Sequence, residues 1–138
     1  MISLAIVDAG PLYAVADAGD VWHQGSARVF ERADLKFVVP ALAFAEACYL
    51  LNKRMGTLVE AQFVRSMGDF EIIAPAAPDL ARMAALMEQY ADFPLGAADA
   101  SVVALAERLD TDIIVTTDRR HFSAIRPSHC EAFRLLPE

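Results

Sequence analysis

The sequence predicts an α/β fold, a three-layer sandwich with a mainly parallel central sheet, and three observations carry that prediction. Short apolar runs, ISLAIV at 2–7, KFVV at 36–39, FEIIA at 70–74 and IIV at 113–115, alternate with longer stretches of helical period. An unbroken apolar run suits a strand buried on both faces, and strands separated by helices suit parallel crossovers. An aspartate also stands just beyond the first and the fourth of these runs, at Asp8 and Asp118. Ligands of open parallel sheets bind beyond the carboxyl ends of the strands, at a topological switch point, so both acids are expected at one rim.

The totals narrow the class. A chain of 138 residues has the length of a single domain, residues 1–138, large enough to bury roughly two-thirds of its unfolded surface. It is 56% hydrophobic with a mean hydropathy of +0.33. No apolar run approaches the ~18–20 residues that span a bilayer, and no basic stretch precedes the first strand, so a cytoplasmic protein is expected. Cys48 and Cys130 lack metal-type spacing and are expected to be reduced, Cys48 as a small core residue. The net charge of −7 argues against affinity for nucleic acid through a broad basic patch. It is compatible with a nuclease that meets phosphate through metal cations, and with a basic protein partner.

Each element follows from local signals. Gly10 and Pro11 break the first strand, and Pro11 suits the first turn of a short helix over 12–18. Asp20 can cap a second helix over 21–33, with Val21, Trp22, Ala27, Val29 and Phe30 on its apolar face. Pro40 stops the second strand. ALAFAEACYLLNK, 41–53, is apolar nearly all the way round, which predicts a buried helix whose only charge before Asn52 is Glu46. Gly56 ends it and Thr57 can cap a helix over 58–67. Pro75 and Pro78 bound a turn after the third strand, and 79–90 is an amphipathic helix with Leu80, Met83, Ala84, Leu86 and Met87. The loop 91–96 leads into a helix over 97–109 that carries Asp99 in its first turn. Residues 119–123 form a helical turn after Asp118, and 132–135 a weak last strand. There is no repeat, linker or low-complexity tract.

The acids have competing explanations. Asp8 can be a turn or capping residue, Asp118 can cap the turn at Arg119, and an acid at the position of Asp99 gains roughly 0.3–1 kcal/mol from the helix dipole. Glu46 is harder to explain that way. An ionised carboxylate in a buried helix costs several kcal/mol unless it meets a metal, a proton or a cation such as a structural arginine. Asp92, in the loop before Phe93-Pro94, is a fifth candidate; Asp69, Asp79, Asp110 and Asp112 read as surface or capping residues. Together the acids at 8, 46, 99 and 118 form a cluster that would repel itself unless it held cations. Hard oxygen ligands suit Mg²⁺ or Mn²⁺. Two such ions roughly 3.5–4 Å apart can activate a water and steady the leaving oxygen in phosphodiester cleavage.

With these residues in view, the chain resembles the PIN-domain ribonucleases, specifically the VapC-like toxins of bacterial toxin–antitoxin pairs. The likeness runs over essentially the whole chain, from VDAGPLYA through EACYLL to YADFPLGAADASVVALAERL and TTDRRHF. The resemblance implies a parallel sheet with a carboxylate site at one rim and places the family's acids on Asp8, Glu46, Asp99 and Asp118. It implies Mg²⁺-dependent hydrolysis of RNA, with Mn²⁺ able to substitute. Asp8, Asp99 and Asp118 would hold the ions, and Glu46 would ligate directly or through water. Arg119 and Arg120 become candidates for RNA phosphate, and Thr116 and Thr117 for ordering the loop or a water. His23 and His121 keep ordinary surface readings, and Trp22 and Tyr90 core or interface ones. The resemblance further implies a homodimer and a cognate antitoxin. That partner would dock a helix on apolar surface of the short early helices and place an Arg or Lys where a metal charge would stand. One departure stands out. Many members carry hydroxyl or amide residues directly after the first aspartate, whereas this chain has Ala9 and Gly10, leaving backbone N–H groups to orient Asp8.

Other α/β domains also gather acids at strand ends. A receiver-like domain would show an adjacent acidic pair near the first strand and a late lysine, and neither is present. A phosphatase of the haloacid dehalogenase type would show Asp-x-Asp, and here the third residue is Gly10. The non-enzymatic alternative is a degenerate PIN-like binding module, which the presence of all the acids disfavours.

Overall fold

The structure, a computed structural model, describes residues 1–138. Its first half runs β1 (Ser3–Val7), α1 (Ala9–Ala16), α2 (His23–Phe30), β2 (Leu35–Pro40), α3 (Ala41–Met55) and α4 (Thr57–Ser66), then a 3-10 turn at Met67–Asp69. The second half runs β3 (Glu71–Ile73), α5 (Ala77–Gln89), α6 (Ala97–Arg108), β4 (Ile113–Val115), α7 (Arg119–Ala124) and β5 (Arg134–Leu136). All neighbouring strands are parallel, in the order β3-β2-β1-β4-β5. The chain therefore walks outward from β1 on one side, then returns to pair β4 against the other side of β1. The reversal lies between β1 and β4, where Ile6 and Val7 pair with Ile114 and Val115. Asp8 and Asp118 leave the sheet at that point.

The apolar runs at β1, β2, β4 and β5 do what their pattern predicts, whereas β3, at the sheet edge, leaves Glu71 and Ile72 exposed. Ala5, Val7, Val39, Ile113, Val115 and Leu136 enter one core, and the alternate residues Ile6, Val38, Ile114 and Leu135 enter the other. Side chains α1 to α4 contribute, among them Leu12, Val29, Leu51 and Phe63, fill the first core; Leu86, Val102 and Phe122, from α5 to α7, help fill the second. The three layers follow directly from strands that have no polar face. No helix is long and apolar enough to cross a membrane. Both cysteines are free and half-buried.

Several expectations need correction. α1 starts at Ala9, directly after Asp8, so Gly10 and Pro11 lie inside its first turn, where a missing N–H costs nothing. It ends early because Asp17 draws the Tyr13 hydroxyl at 2.5 Å and the Gly19 N–H at 3.0 Å, building a turn instead of a further helical one. Asp20 does accept the Trp22 N–H at 2.8 Å, but the helix begins only at His23, and Val21 is 90% exposed rather than on an apolar face.

α3 is not buried all round. Only Ala43, Ala47 and Leu51 are fully covered, while Glu46 is exposed and Tyr49 is 63% exposed. Alanines make a helix look apolar without supplying enough surface to demand burial. α6 is the enclosed helix, with every residue from Ala100 to Ala106 buried. Asp79, expected as a surface or capping residue, takes the capping role and is 5% exposed. It accepts the Ala76 N–H at 2.9 Å and pairs with Arg108 Nε at 3.0 Å, beside a second α5–α6 pair, Arg82 to Glu107 at 2.7 Å. Replacing Asp79 with Ala removes a helix cap and strands Arg108, and should cost about 2–3 kcal/mol in urea unfolding. A loss below about 0.5 kcal/mol would contradict this account.

Candidate metal centre

Asp8 emerges from the last residue of β1 with extended backbone, φ −79° and ψ 169°, at the N-cap of α1. Its backbone N–H donates to Val115 O at 2.9 Å, locking it to β4. The side chain is 5% exposed. Thr116 donates its hydroxyl to Oδ2 at 2.8 Å, while Oδ1 is buried without any partner. Burial, reinforced by the charge of Asp99, pushes the carboxyl from 3.8 up to about 7, against the pull of Thr116 and of the Ala9 backbone.

Thr116 joins two strands' worth of chemistry. Its N–H donates to Leu136 O at 2.8 Å, and its hydroxyl oxygen accepts the Asp118 N–H at 2.9 Å. The loop that carries Asp118 is thus tied to Asp8 through one side chain. Asp118 caps α7, its Oδ1 accepting the His121 N–H at 3.0 Å, and its Oδ2 lies 2.6 Å from His121 Nδ1. Capping and site membership are compatible, because each oxygen retains a lone pair.

Asp99 is the third residue of α6 and half-buried. Burial first, then the charges of Asp118 and Glu46, raise its carboxyl from 3.8 to about 6; His121 acts in the opposite sense. Ligand atoms of Asp99, Asp118 and His121 all lie within 4.8 Å of one another. Glu46 stands in the second turn of α3, exposed, yet close enough for its charge to act on both Asp8 and Asp99. The buried-helix argument for it fails, and its place beside the other acids is what recommends it.

The rim fits a divalent cation on its own evidence. An oxygen of Asp8 that is buried, unpartnered and next to further acids is a ligand position without a donor to fill it, and an oxygen-rich set suits hard ions. Asp92 is exposed on the preceding loop and stands outside the cluster. Arg119 donates to Pro137 O, just beyond the end of β5. Arg120 is exposed, has no acidic partner, and lies over the Phe93 ring at 5.2 Å. His121, a surface residue on sequence grounds, lies in the cluster. The available signal was its spacing, three residues after a capping aspartate, which returns it to the cap.

The chain's departure after Asp8 also has a structural answer. A Cβ on Gly10 would stand 2.1 Å from Thr117 Oγ1 and 3.3 Å from Thr117 Cβ. The space a side chain would take there is filled from the β4–α7 loop, and the hydroxyl that meets Asp8 comes from Thr116.

Over most of its length the chain is similar to known proteins. Residues 5–126 match the PIN domain family model. The chain is 34% identical over 134 residues to Ribonuclease VapC26 of Mycobacterium tuberculosis, covering 96% of this chain and 99% of that protein. It superposes on M. tuberculosis VapC20, described as a sarcin-ricin loop cleaving toxin, with a TM-score of 0.79 at 17% identity over 94% of this chain and 99% of that one. It also superposes on VapBC2 from Rickettsia felis, solved bound to a DNA fragment from its promoter, with a TM-score of 0.69 at 12% identity over 96% and 98% of the chains. At those identities the structural likenesses establish the fold.

Two outcomes follow from the site. Asp8 and Asp99 hold protons more tightly folded than unfolded, so between about pH 4 and 7 the folded chain binds more protons than the unfolded one. Stability of the metal-free protein therefore falls as pH rises through that window. Urea unfolding in chelator at about pH 5 and about pH 7.5 should show the fall, and Asp8→Asn should shrink it; a rise in the native protein would contradict burial as the dominant influence. Gly10→Ala should cost about 1–3 kcal/mol by overpacking against Thr117, and Gly10→Ala with Thr117→Ala should recover most of the loss in the same assay.

Proposed function

This chain belongs to the PIN-domain family, and we propose that its rim of Asp8, Glu46, Asp99 and Asp118 is the metal-dependent endoribonuclease centre of a toxin restrained by a cognate antitoxin. The observation that carries this reading is the buried, unpartnered Oδ1 of Asp8 beside the charges of Asp99 and Glu46. Asp8, Asp99 and Asp118 would hold Mg²⁺ or Mn²⁺, with Glu46 ligating directly or through water from the exposed side. Such ions, when bound, supply charge for phosphate oxygens and acidify water for attack on phosphorus.

The chain's own groups account for positioning. Thr116 fixes the rotamer of Asp8 and, through the Asp118 N–H, the height of the next carboxylate. His121 grips both oxygens of Asp118 from one side and leaves their other lone pairs free. Placement of Asp99 on the rigid, enclosed α6 leaves it little freedom to retreat from its neighbours. Arg120 is the cation best placed for RNA phosphate near the rim.

An antitoxin fits two features. Leu12 and Val15 of α1, Ala27 and Phe30 of α2, and Phe63, Met67 and Phe70 line an apolar groove on the first face. It suits the apolar side of a partner helix, and a basic residue from that partner would answer the acids in place of a cation. The net charge of −7 favours such a partner at long range.

Cleavage of a mixed RNA substrate with Mg²⁺ or Mn²⁺, abolished by chelator, tests the reading. Asp99→Asn and Asp8→Asn should each lower the rate roughly 100-fold or more while far-UV circular dichroism stays native. Full activity in Asp99→Asn would sink the assignment.

A further inference from the structure

The rim contains one imidazole among its carboxylates, bonded to Asp118. His121 lies on the first turn of α7, its side chain 20% exposed, with its ring centroid 4.7 Å from that of Phe93. Its nitrogen belongs to the same small space as the carboxylates of Asp99 and Asp118, with one ligand atom from each within 4.8 Å of the others. Resting on the metal-centre reading above, we propose that His121 is a nitrogen ligand of the bound ion, so that the centre selects Mn²⁺ over Mg²⁺.

The distances allow it. Metal–ligand bonds of roughly 2.0–2.2 Å place opposite ligands of one ion a little over 4 Å apart, so three atoms within 4.8 Å need only small side-chain adjustments to converge. Nδ1 donates its proton to Asp118 Oδ2 at 2.6 Å, which holds the ring at the acid cluster; an incoming ion takes the nitrogen's lone pair by displacing that proton to solvent. Packing on Phe93 and the cap bond from the His121 N–H hold it there. A second observation points to a ligand in this neighbourhood: Asp8 Oδ1 is buried with no hydrogen-bond donor. The other two histidines are engaged elsewhere, His23 Nδ1 with Ala14 O at 2.7 Å and His129 Nε2 with Thr111 O at 2.7 Å.

Selectivity follows from ligand chemistry. Mg²⁺ is small and hard, keeps its waters and prefers oxygen. Imidazole suits first-row transition ions, so exchanging one oxygen for a nitrogen raises affinity for Mn²⁺ relative to Mg²⁺.

The test is calorimetric titration of the full chain with MnCl₂ and with MgCl₂, for the native protein and for His121→Gln, alongside pulsed EPR of the Mn²⁺-loaded protein. The native protein should bind Mn²⁺ more tightly than Mg²⁺ and show a nitrogen hyperfine coupling. In His121→Gln the coupling should vanish and Mn²⁺ affinity fall about tenfold or more, with Mg²⁺ affinity changed far less. Absence of nitrogen coupling in native protein that binds Mn²⁺ in an Asp8-dependent way overturns the nitrogen ligand and leaves the metal centre standing. Equal losses for both ions in the variant overturn the selectivity and reduce His121 to a positioning residue for Asp118. Failure of the native protein to bind Mn²⁺ at all, even with an uncleavable oligonucleotide present, overturns both readings. The EPR measurement on the native chain needs no variant to fold.

Discussion

Gathering carboxylates in one place, with one of them buried, is the constraint on which the rest of this structure turns. Asp8 has lost almost all contact with water and keeps one oxygen without a donor. Such a group is costly in isolation, and the cost is held in place by the strongest parts of the fold. The β1–β4 pairing fixes the Asp8 backbone, the enclosed α6 fixes Asp99, and the cap of α7 fixes Asp118. The backbones of all three are thereby set by regular structure.

The sheet makes that rigidity possible. β1, β2, β4 and β5 bury residues on both faces while β3 lies more open at the sheet edge, and two independent cores clamp the switch point from either side. On the second face, the ion pairs Arg108–Asp79 and Arg82–Glu107 bind α5 to α6, and α6 carries Asp99. A bond network on one side of the molecule therefore serves geometry on its rim. Thr116 plays the corresponding part among the loops, since one hydroxyl contacts both the Asp8 side chain and the Asp118 backbone.

Acids that repel one another favour any species bringing positive charge, whether a divalent ion or a basic side chain from a partner. The apolar groove between α1, α2 and α4 lies on the face away from α5 and α6, so a partner could grip there without disturbing the clamp that holds Asp99.

Much of this was legible in the sequence. Apolar runs mark the strands, so the strands and the three-layer architecture follow from local pattern, and β4 falls on Ile113–Val115 as read, but β3 shows that pattern alone does not fix which strand ends exposed at the edge. The four acids could be named because each ends a strand or starts or punctuates a helix. The sequence could not say which helix would be enclosed, because alanine is equally at home in α3, with Glu46 and Tyr49 in solvent, and in α6, with none of Ala100 to Ala106 in it. That choice belongs to packing among elements far apart in the chain. The partners of the acids were decided in the same way. Thr116 reaches Asp8 across 108 positions of sequence, Thr117 fills the space over Gly10, and Arg108 meets Asp79 across 29. Local residue patterns determine which groups are present and on what element; only the closing of β4 against β1 decides which of them touch.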